Sequence, residues 1–257
     1  MWGEAPEVRA GRSPLLTVAS LALWCVVWEA VGRAGVSSIV PPLSRVVASG
    51  MAVLASGKFA AAAWLSVRTF ALGMACAVVV GVPLGIVMAR SEAVGRILRV
   101  WVSVFVSAPV SALVPILMAV LGIGETTVVV TVFLFAVFVI ILDTEVGVTQ
   151  VSRSLVEMGR CFGASRGELY RKILLPAALP EILAGLRLGA IRGVKGVVIG
   201  QLLVAILGVG ELFELYSKHF LFEEFWALVI VVFAFAYAVS EGIALLERRV
   251  EHYARAR

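Results

Sequence analysis

The sequence predicts an all-α polytopic membrane protein: six transmembrane helices and one structured cytoplasmic loop. Three observations carry this. Of 257 residues, 61% are apolar and only 15% charged, against roughly half and a quarter in soluble domains. Mean hydropathy is +1.03. Six runs approach the ~20 apolar residues that a helix needs to cross the hydrocarbon core. A soluble enzyme, a disordered chain and a disulfide scaffold are thereby excluded, and residues 1–257 read as one membrane domain.

The first run, Leu15–Val31, follows Arg9 and Arg12 in a short N-terminal segment, residues 1–14. A signal peptide opens in the same way, but no small-x-small cleavage site follows promptly and Glu29 sits near the end, so the run reads as a span. The second, Ser66–Met88, carries Gly73, Gly81 and Gly85, small residues that let helices approach closely. Its Pro83, and Pro109 in the third run, Ile97–Leu121, are expected to kink their helices. Ser107 and Ser111, four apart, are expected on one face of that span, either lining a polar path or bonding backbone. Gly122-Ile-Gly-Glu125 reads as a tight outer turn into the fourth run, Thr126–Val148. The fifth, Ile182–Leu207, holds Arg187, Arg192 and Lys195 among apolar residues and glycines, and the sixth is Phe225–Leu246, before a tail at 247–257.

Basic residues orient the chain. With the N-terminus inside, fourteen Lys and Arg fall in inner segments and five in outer ones, so both termini are expected in the cytoplasm. The net charge of +5 then reflects basic inner loops and implies no nucleic acid. Cys25, Cys76 and Cys161 have no metal-site or disulfide spacing and are expected to be small core residues.

The inner segment Gln150–Glu181 is long enough to have structure of its own. Leu155, Met158 and Phe162 recur at helical spacing, and Gly163 follows where a helix end favours positive φ. Ser165 and Glu168 form an S-x-x-E capping box for a second helix. Leu169, Ile173 and Leu174 stripe that helix, and Pro176 and Pro180 are expected to stop it. Two short amphipathic helices meeting at a glycine suit either docking into a partner's groove or packing on their own bundle.

The order Glu157, then Gly163, then Ile173-x-Leu175-Pro176 resembles the EAA loop of ABC importer permeases. Gly163-Ala-Ser-Arg166, Leu175-Pro-Ala-Ala-Leu-Pro180 and Leu183-Ala-Gly-Leu-Arg-Leu188 are similar to the nitrate/sulfonate/taurine branch. Val40-Pro-Pro42, Gly81-Val-Pro-Leu-Gly85, Pro109 with Pro115, Gly122-Ile-Gly124, Thr144-x-x-Gly147 and Gly208-x-Gly210 fit in order along nearly the whole chain. The resemblance implies a type I importer permease in a prokaryotic plasma (inner) membrane. It implies a likeness of partners too: two copies of a separate ABC ATPase subunit, an extracytoplasmic substrate-binding protein, and a second copy of this chain. Glu157, Gly163, Ala164 and Ser165 would meet the ATPase, with Ile173, Leu175 and Pro176 bracing that contact against the bundle. Departures are Met158 and Gly159 for two alanines, Val139 for a proline in span four, Asp143 for an asparagine and Gln201 for a glutamate. The changes at Asp143 and Gln201 bear on the solute, not on the family.

Charges at bilayer depth cost at least about 2.5–3.5 kcal/mol each and mark pathways or partners. Arg192 and Lys195, near the middle of span five, either form an anion-attracting wall or pair with Asp143, Glu145 or another subunit, while Arg187 is expected to snorkel. Arg192, Lys195, Gln201, Asp143, Ser107 and Ser111 are the candidate pathway residues. The segment Glu211–Glu224 is either a solvated face or a contact for the binding protein. The one Gly-Lys pair, Gly57-Lys58, is followed by Phe59, so no phosphate-binding loop is present; neither a catalytic centre nor a cofactor or metal is expected. The expected function is an importer subunit that forms the path of a small anionic solute such as nitrate, a sulfonate or a related organic acid. The alternative is a stand-alone secondary transporter of an organic anion, which would call for an inverted repeat that spans one to three and four to six do not display.

Overall fold

The structure, a computed structural model, describes residues 14–204 and 207–255. Arg9, Arg12 and Arg257, counted above as inner charges, lie outside them. Every regular element among the described residues is helical: α1 Pro14–Arg33, α2 Leu43–Leu54, α3 Gly57–Arg90, α4 Glu92–Ser107, α5 Val110–Leu121, α6 Glu125–Thr149, α7 Arg153–Cys161, α8 Arg166–Val204, α9 Gly208–Lys218 and α10 Phe222–Arg255.

Four of these, α3, α6, α8 and α10, are long and apolar enough to cross a membrane. The pair α4 and α5 makes a fifth as a broken span or re-entrant loop, bent by 89°. The sixth expected span falls in α1, 20 residues long, whose first turn adjoins the undescribed N-terminus.

The third span is not one kinked helix. Pro109 pushes the residue before it out of the helical region, and Ala108 is extended at φ −72°, ψ 145°. Ser107 therefore ends α4, Ser111 lies in the 3₁₀ turn that opens α5, and the two share no face. Conversely, Pro176 and Pro180 do not end a helix: α8 runs unbroken for 39 residues. Its turn Leu169–Leu174 is π-wound, and the Leu175 N–H donates to the Tyr170 carbonyl five residues back. That wider turn accepts Pro176 at the start of the following α-helical stretch, where a missing N–H is tolerated. Pro83 also stays inside a continuous helix, α3.

The core is α6, held between α3 and α8. Ile140 fills both sides: a Cβ at Gly81 of α3 would fall 2.9 Å from its Cγ2, and one at Gly189 of α8 would fall 2.8 Å from its Cγ1. Val132 repeats the arrangement between Gly73 and Gly196. Without a hydrophobic drive between helices in lipid, such close backbone approach is a main source of association. The residues opposite α8 glycines run backwards along α6, from Asp143 at Gly185 through Ile140 at Gly189 to Thr131 at Gly200, so the two helices are antiparallel. Thr144 packs at Gly85 and Glu181 at Gly147, which accounts for Thr144-x-x-Gly147 as a packing motif. Cys25, Cys76 and Cys161, expected inside, are all exposed on the isolated chain.

At the α9 end of the bundle, Trp28 of α1 and Trp226 of α10 meet edge to face with centroids 5.2 Å apart. Their indole N–H groups donate to Pro41 and Ile39 carbonyls. Arg68 bonds Glu125 through two nitrogens, at 2.9 and 2.5 Å, closing the turn into α6.

Candidate functional site

The segment from α7 into α8 is built by local rules. α7 ends in a complete Schellman motif: the Ala164 N–H reaches the Gly159 carbonyl at 3.0 Å and the Gly163 N–H reaches Arg160 at 2.9 Å. Gly163 takes φ +76°, which a residue without Cβ adopts without strain. Two residues on, the capping box closes: the Glu168 N–H donates to Ser165 Oγ at 3.4 Å, and the Ser165 N–H donates to Glu168 Oε2 at 3.1 Å. Lys172 Nζ bonds the other carboxylate oxygen at 3.0 Å. Lys172 and the two Ser165 donors lower the Glu168 pKa to about 2.

Gly159 is the only buried residue of α7. A Cβ there would fall 2.6 Å from Leu169 Cδ2 and closer still to Ile173 Cδ1. The departure from alanine thus lets α7 lie directly on α8. Leu169, buried, and Ile173 do the bracing; Leu175 and Pro176, expected to share it, are exposed. The Arg90 guanidinium stacks over the Tyr170 ring, 4.6 Å from its centre, tying the end of α3 to the π turn. Among its exposed polar residues α7 leaves an apolar set uncovered: Leu155, Met158 and, at its C-cap, Phe162 are 40%, 48% and 85% exposed. Glu157, Gly163 and Ser165 lie beside them on the surface, and Ala164 is half-buried.

The candidate pathway residues divide. Arg192 and Ser111 come together at the crook of the broken span, lining a cavity of about 220 Å³ with Phe105, Pro109, Phe135 and Phe138. Phe105 and Phe138 stack there at 4.7 Å. Ser107 is not among the lining residues. Lys195 is exposed one turn beyond Arg192. Asp143 abuts Gly185 and lies within electrostatic reach of Arg192 and Glu181. Glu145 pairs with Arg99 of α4 instead, and Arg187 does not snorkel: it bonds Ser240 at 3.2 Å and approaches Glu247 at 3.7 Å, both on α10.

Gln201 lies elsewhere. It is fully buried, and its Oε1 accepts from Ser66 Oγ at 2.8 Å and from the Val209 N–H at 3.1 Å. Gly208, at φ +61°, and Gly210 close around it. It anchors the α8–α9 connection and borders a separate apolar cavity of about 160 Å³. The Gly208-x-Gly210 motif was the available signal. Sequence reasoning overlooked Ser66, Arg99 and the bracing role of Gly159; the first two find their partners only through long-range packing.

The model of a family described as binding-protein-dependent transport system inner membrane component matches residues 81–252. The chain is 28% identical over 246 residues to the taurine transport system permease protein of Escherichia coli (strain K12), covering 93% of this chain and 90% of that one. It is 31% identical over 140 residues to a glycine betaine/carnitine/choline transport system permease protein of Bacillus subtilis (strain 168), covering 54% and 61%. In shape it is similar to a chain of the MetNI methionine ABC transporter in an inward-facing conformation, with TM-score 0.66, 20% identity, and coverage of 75% of this chain and 96% of that one.

Proposed function

The chain belongs to the family of binding-protein-dependent transport system inner membrane components, and from that premise we propose how it carries out transport. Members are multi-pass subunits of ABC importers in the inner membrane; they are not themselves enzymes, ATP being hydrolysed by a separate subunit and solute delivered by a binding protein. In our reading two copies of this chain pair in the membrane with both termini cytoplasmic, and each engages one of two ATPase copies through α7 and the start of α8. Glu157, Gly163, Ala164 and Ser165 lie at that contact, and Ile173 supports it.

The observation that carries this reading is Phe162, 85% exposed at the C-terminal end of a helix that the Schellman motif closes. A large aromatic side chain held rigidly in the open is what helix-in-groove recognition uses as an anchor. ATP drives transport only insofar as the ATPase binds one conformation of the permease better than the other, and a rigid α7–α8 junction transmits that preference.

The solute is a small organic molecule with an anionic group, met by Arg192 in the cavity at the α4–α5 break, with Lys195 nearby. The taurine and glycine betaine systems among the relatives support a small organic solute over an inorganic ion. Affinity capture of the tagged chain in mild detergent, with mass spectrometry, tests the assembly. An ABC ATPase recovered at one copy per copy of this chain bears it out; recovery of the chain alone across several gentle detergents overturns it and favours a self-sufficient transporter.

A further inference from the structure

Beside the π turn of α8, at the α7 end of the bundle, lies a cavity of about 150 Å³. Three helices meet there. Ile86 of α3, Val148 of α6 and Tyr170, Leu174 and Leu175 of α8 give it apolar and aromatic walls, and Arg171 completes the lining. An apolar void of this size stays dry and accepts a guest as large as a benzene ring, so a run of several methylenes fits.

Two arginines stand further out than these walls. α3 runs toward this end, and Arg90, its last residue, follows Ile86 by one turn on the same face. α8 starts from this end, and Arg171 precedes Leu174 and Leu175 by about one turn. Arg90 is held over the Tyr170 ring, 4.6 Å from its centre, a contact that brings no negative charge. Both arginines are exposed, and among the described residues neither forms an ion pair. The carboxylate closest in sequence to Arg171, Glu168, is engaged by Lys172 at 3.0 Å. Positive charge without a protein counterion thus sits outward of an apolar slot, where a helix long and apolar enough to cross a membrane ends. That order is complementary to a lipid phosphate above its acyl chain.

We propose that this is a binding site for one anionic phospholipid, its phosphate held by Arg171 and Arg90 and the upper part of one acyl chain in the cavity. The donor fork of arginine suits phosphate oxygens, and tyrosine is at home at headgroup level. The lipid joins α3, α6 and α8 beside the widened turn of α8. Neither the solute nor the ATPase contact enters: the site needs only that the chain spans a membrane.

The test is native mass spectrometry of the full chain with its co-purifying subunits, titrated in detergent at low salt with dioleoyl phosphatidylglycerol or dioleoyl phosphatidylcholine. One phosphatidylglycerol per chain is expected to bind about 25-fold tighter than phosphatidylcholine, a factor of about five for each arginine. Arg171→Gln and Arg90→Gln are each expected to lower that preference about fivefold, and the double variant to erase it. Leu174→Trp, which fills the cavity and keeps both arginines, is expected to weaken both lipids. Equal binding of the two lipids by the wild type overturns the proposal. So does an equal loss in Arg153→Gln, an exposed α7 variant outside the cavity, which would mark general attraction to basic residues. Displacement of phosphatidylglycerol by millimolar inorganic phosphate also overturns it, by marking a site for the free anion. Both arginines are exposed, so unchanged Tm values in phosphatidylcholine are expected for their variants, which separates lost lipid from lost fold.

Discussion

Arg99 of α4 reaches the carboxylate of Glu145 on α6, a group almost wholly enclosed by the bundle, and so fastens the first limb of the broken span to the central helix. Removing one partner of a fully buried pair costs about 3–5 kcal/mol because the other charge is stranded. With the Arg99 side chain 59% exposed, the cost here is smaller. Arg99→Ala is expected to lower the detergent-solubilised Tm, and Arg99→Ala with Glu145→Gln to recover most of the loss. Equal Tm values for single and double variants would remove the pair from the stability of the fold.

The glycine contacts on α3 differ in what they would strike. A Cβ at Gly85 meets the Ile141 carbonyl oxygen at 2.6 Å, a backbone atom, whereas one at Gly81 meets the Ile140 side chain at 2.9 Å. Overpacking costs typically about 1–3 kcal/mol. Gly85→Ala is therefore expected near the top of that range and Gly81→Ala near the bottom, as read from thermal unfolding of the two variants side by side.

At Gly163 the constraint is backbone alone. A Cβ has open space there, but φ is +76°, a region closed to proline, whose ring fixes φ near −65°. Gly163→Pro is expected to abolish uptake while membrane insertion stays normal. Gly163→Asn, which tolerates positive φ, is expected to keep most of it. Uptake assays with matched membrane levels decide this, and normal transport by the proline variant would dissociate the motif from coupling.

Phe162→Ala removes an exposed ring that the protein does not use to hold itself together. It is expected to leave Tm within experimental error and to reduce the yield of co-purified ATPase several-fold, since central aromatic anchors often carry 2 kcal/mol or more of an interface. A fall in Tm with unchanged ATPase recovery would reverse the assignment.

The Glu168 cap has a defined acid limit. Its pKa is about 2 in the folded segment against 4.5 for a free glutamate carboxyl. A depressed carboxylate stabilises above its unfolded value and loses that contribution as pH falls toward the folded one. Between pH 5 and 8 the cap is thus expected to be indifferent to pH, with loss confined to the interval from about 4.5 down to 2. Hydrogen exchange of the Ser165 and Glu168 amides across pH 3–7, corrected for intrinsic rates, checks this; loss of protection already at pH 6 would contradict it.

The capping box at Ser165, the turn at Gly163 and the four longest spans were legible in the sequence because each depends on residues within a few positions of one another. The fate of the prolines was not. Pro109, Pro83 and Pro176 look alike in sequence, yet one breaks a helix by 89°, one sits inside a continuous helix and one follows a π turn; what decides is how the adjacent backbone is packed and re-bonded. Helix α2 escaped because 12 residues are too few for a span. Gln201 was read as a pathway residue from the family resemblance, where a glutamate is frequent, and only the fold reveals that Ser66 and Val209 close upon it. Arg192 and Lys195 were found readily, since charge in an apolar run is conspicuous, but the absence of an ion pair between Arg192 and Asp143 required coordinates.

Helix α8 passes without interruption from the Ser165 cap to Val204, 39 residues or about 58 Å. The surface proposed for the ATPase contact and the α8 face that carries Arg192 and Lys195 thus lie on a single stiff body. Simple geometry then governs the stroke: if the rod pivots at one end by about 5°, its far tip sweeps roughly 5 Å, the height of one helical turn. Motion applied at the Ser165 end would be magnified by length alone, and the π turn, by letting Pro176 sit within the rod instead of breaking it, is what keeps that length in one piece.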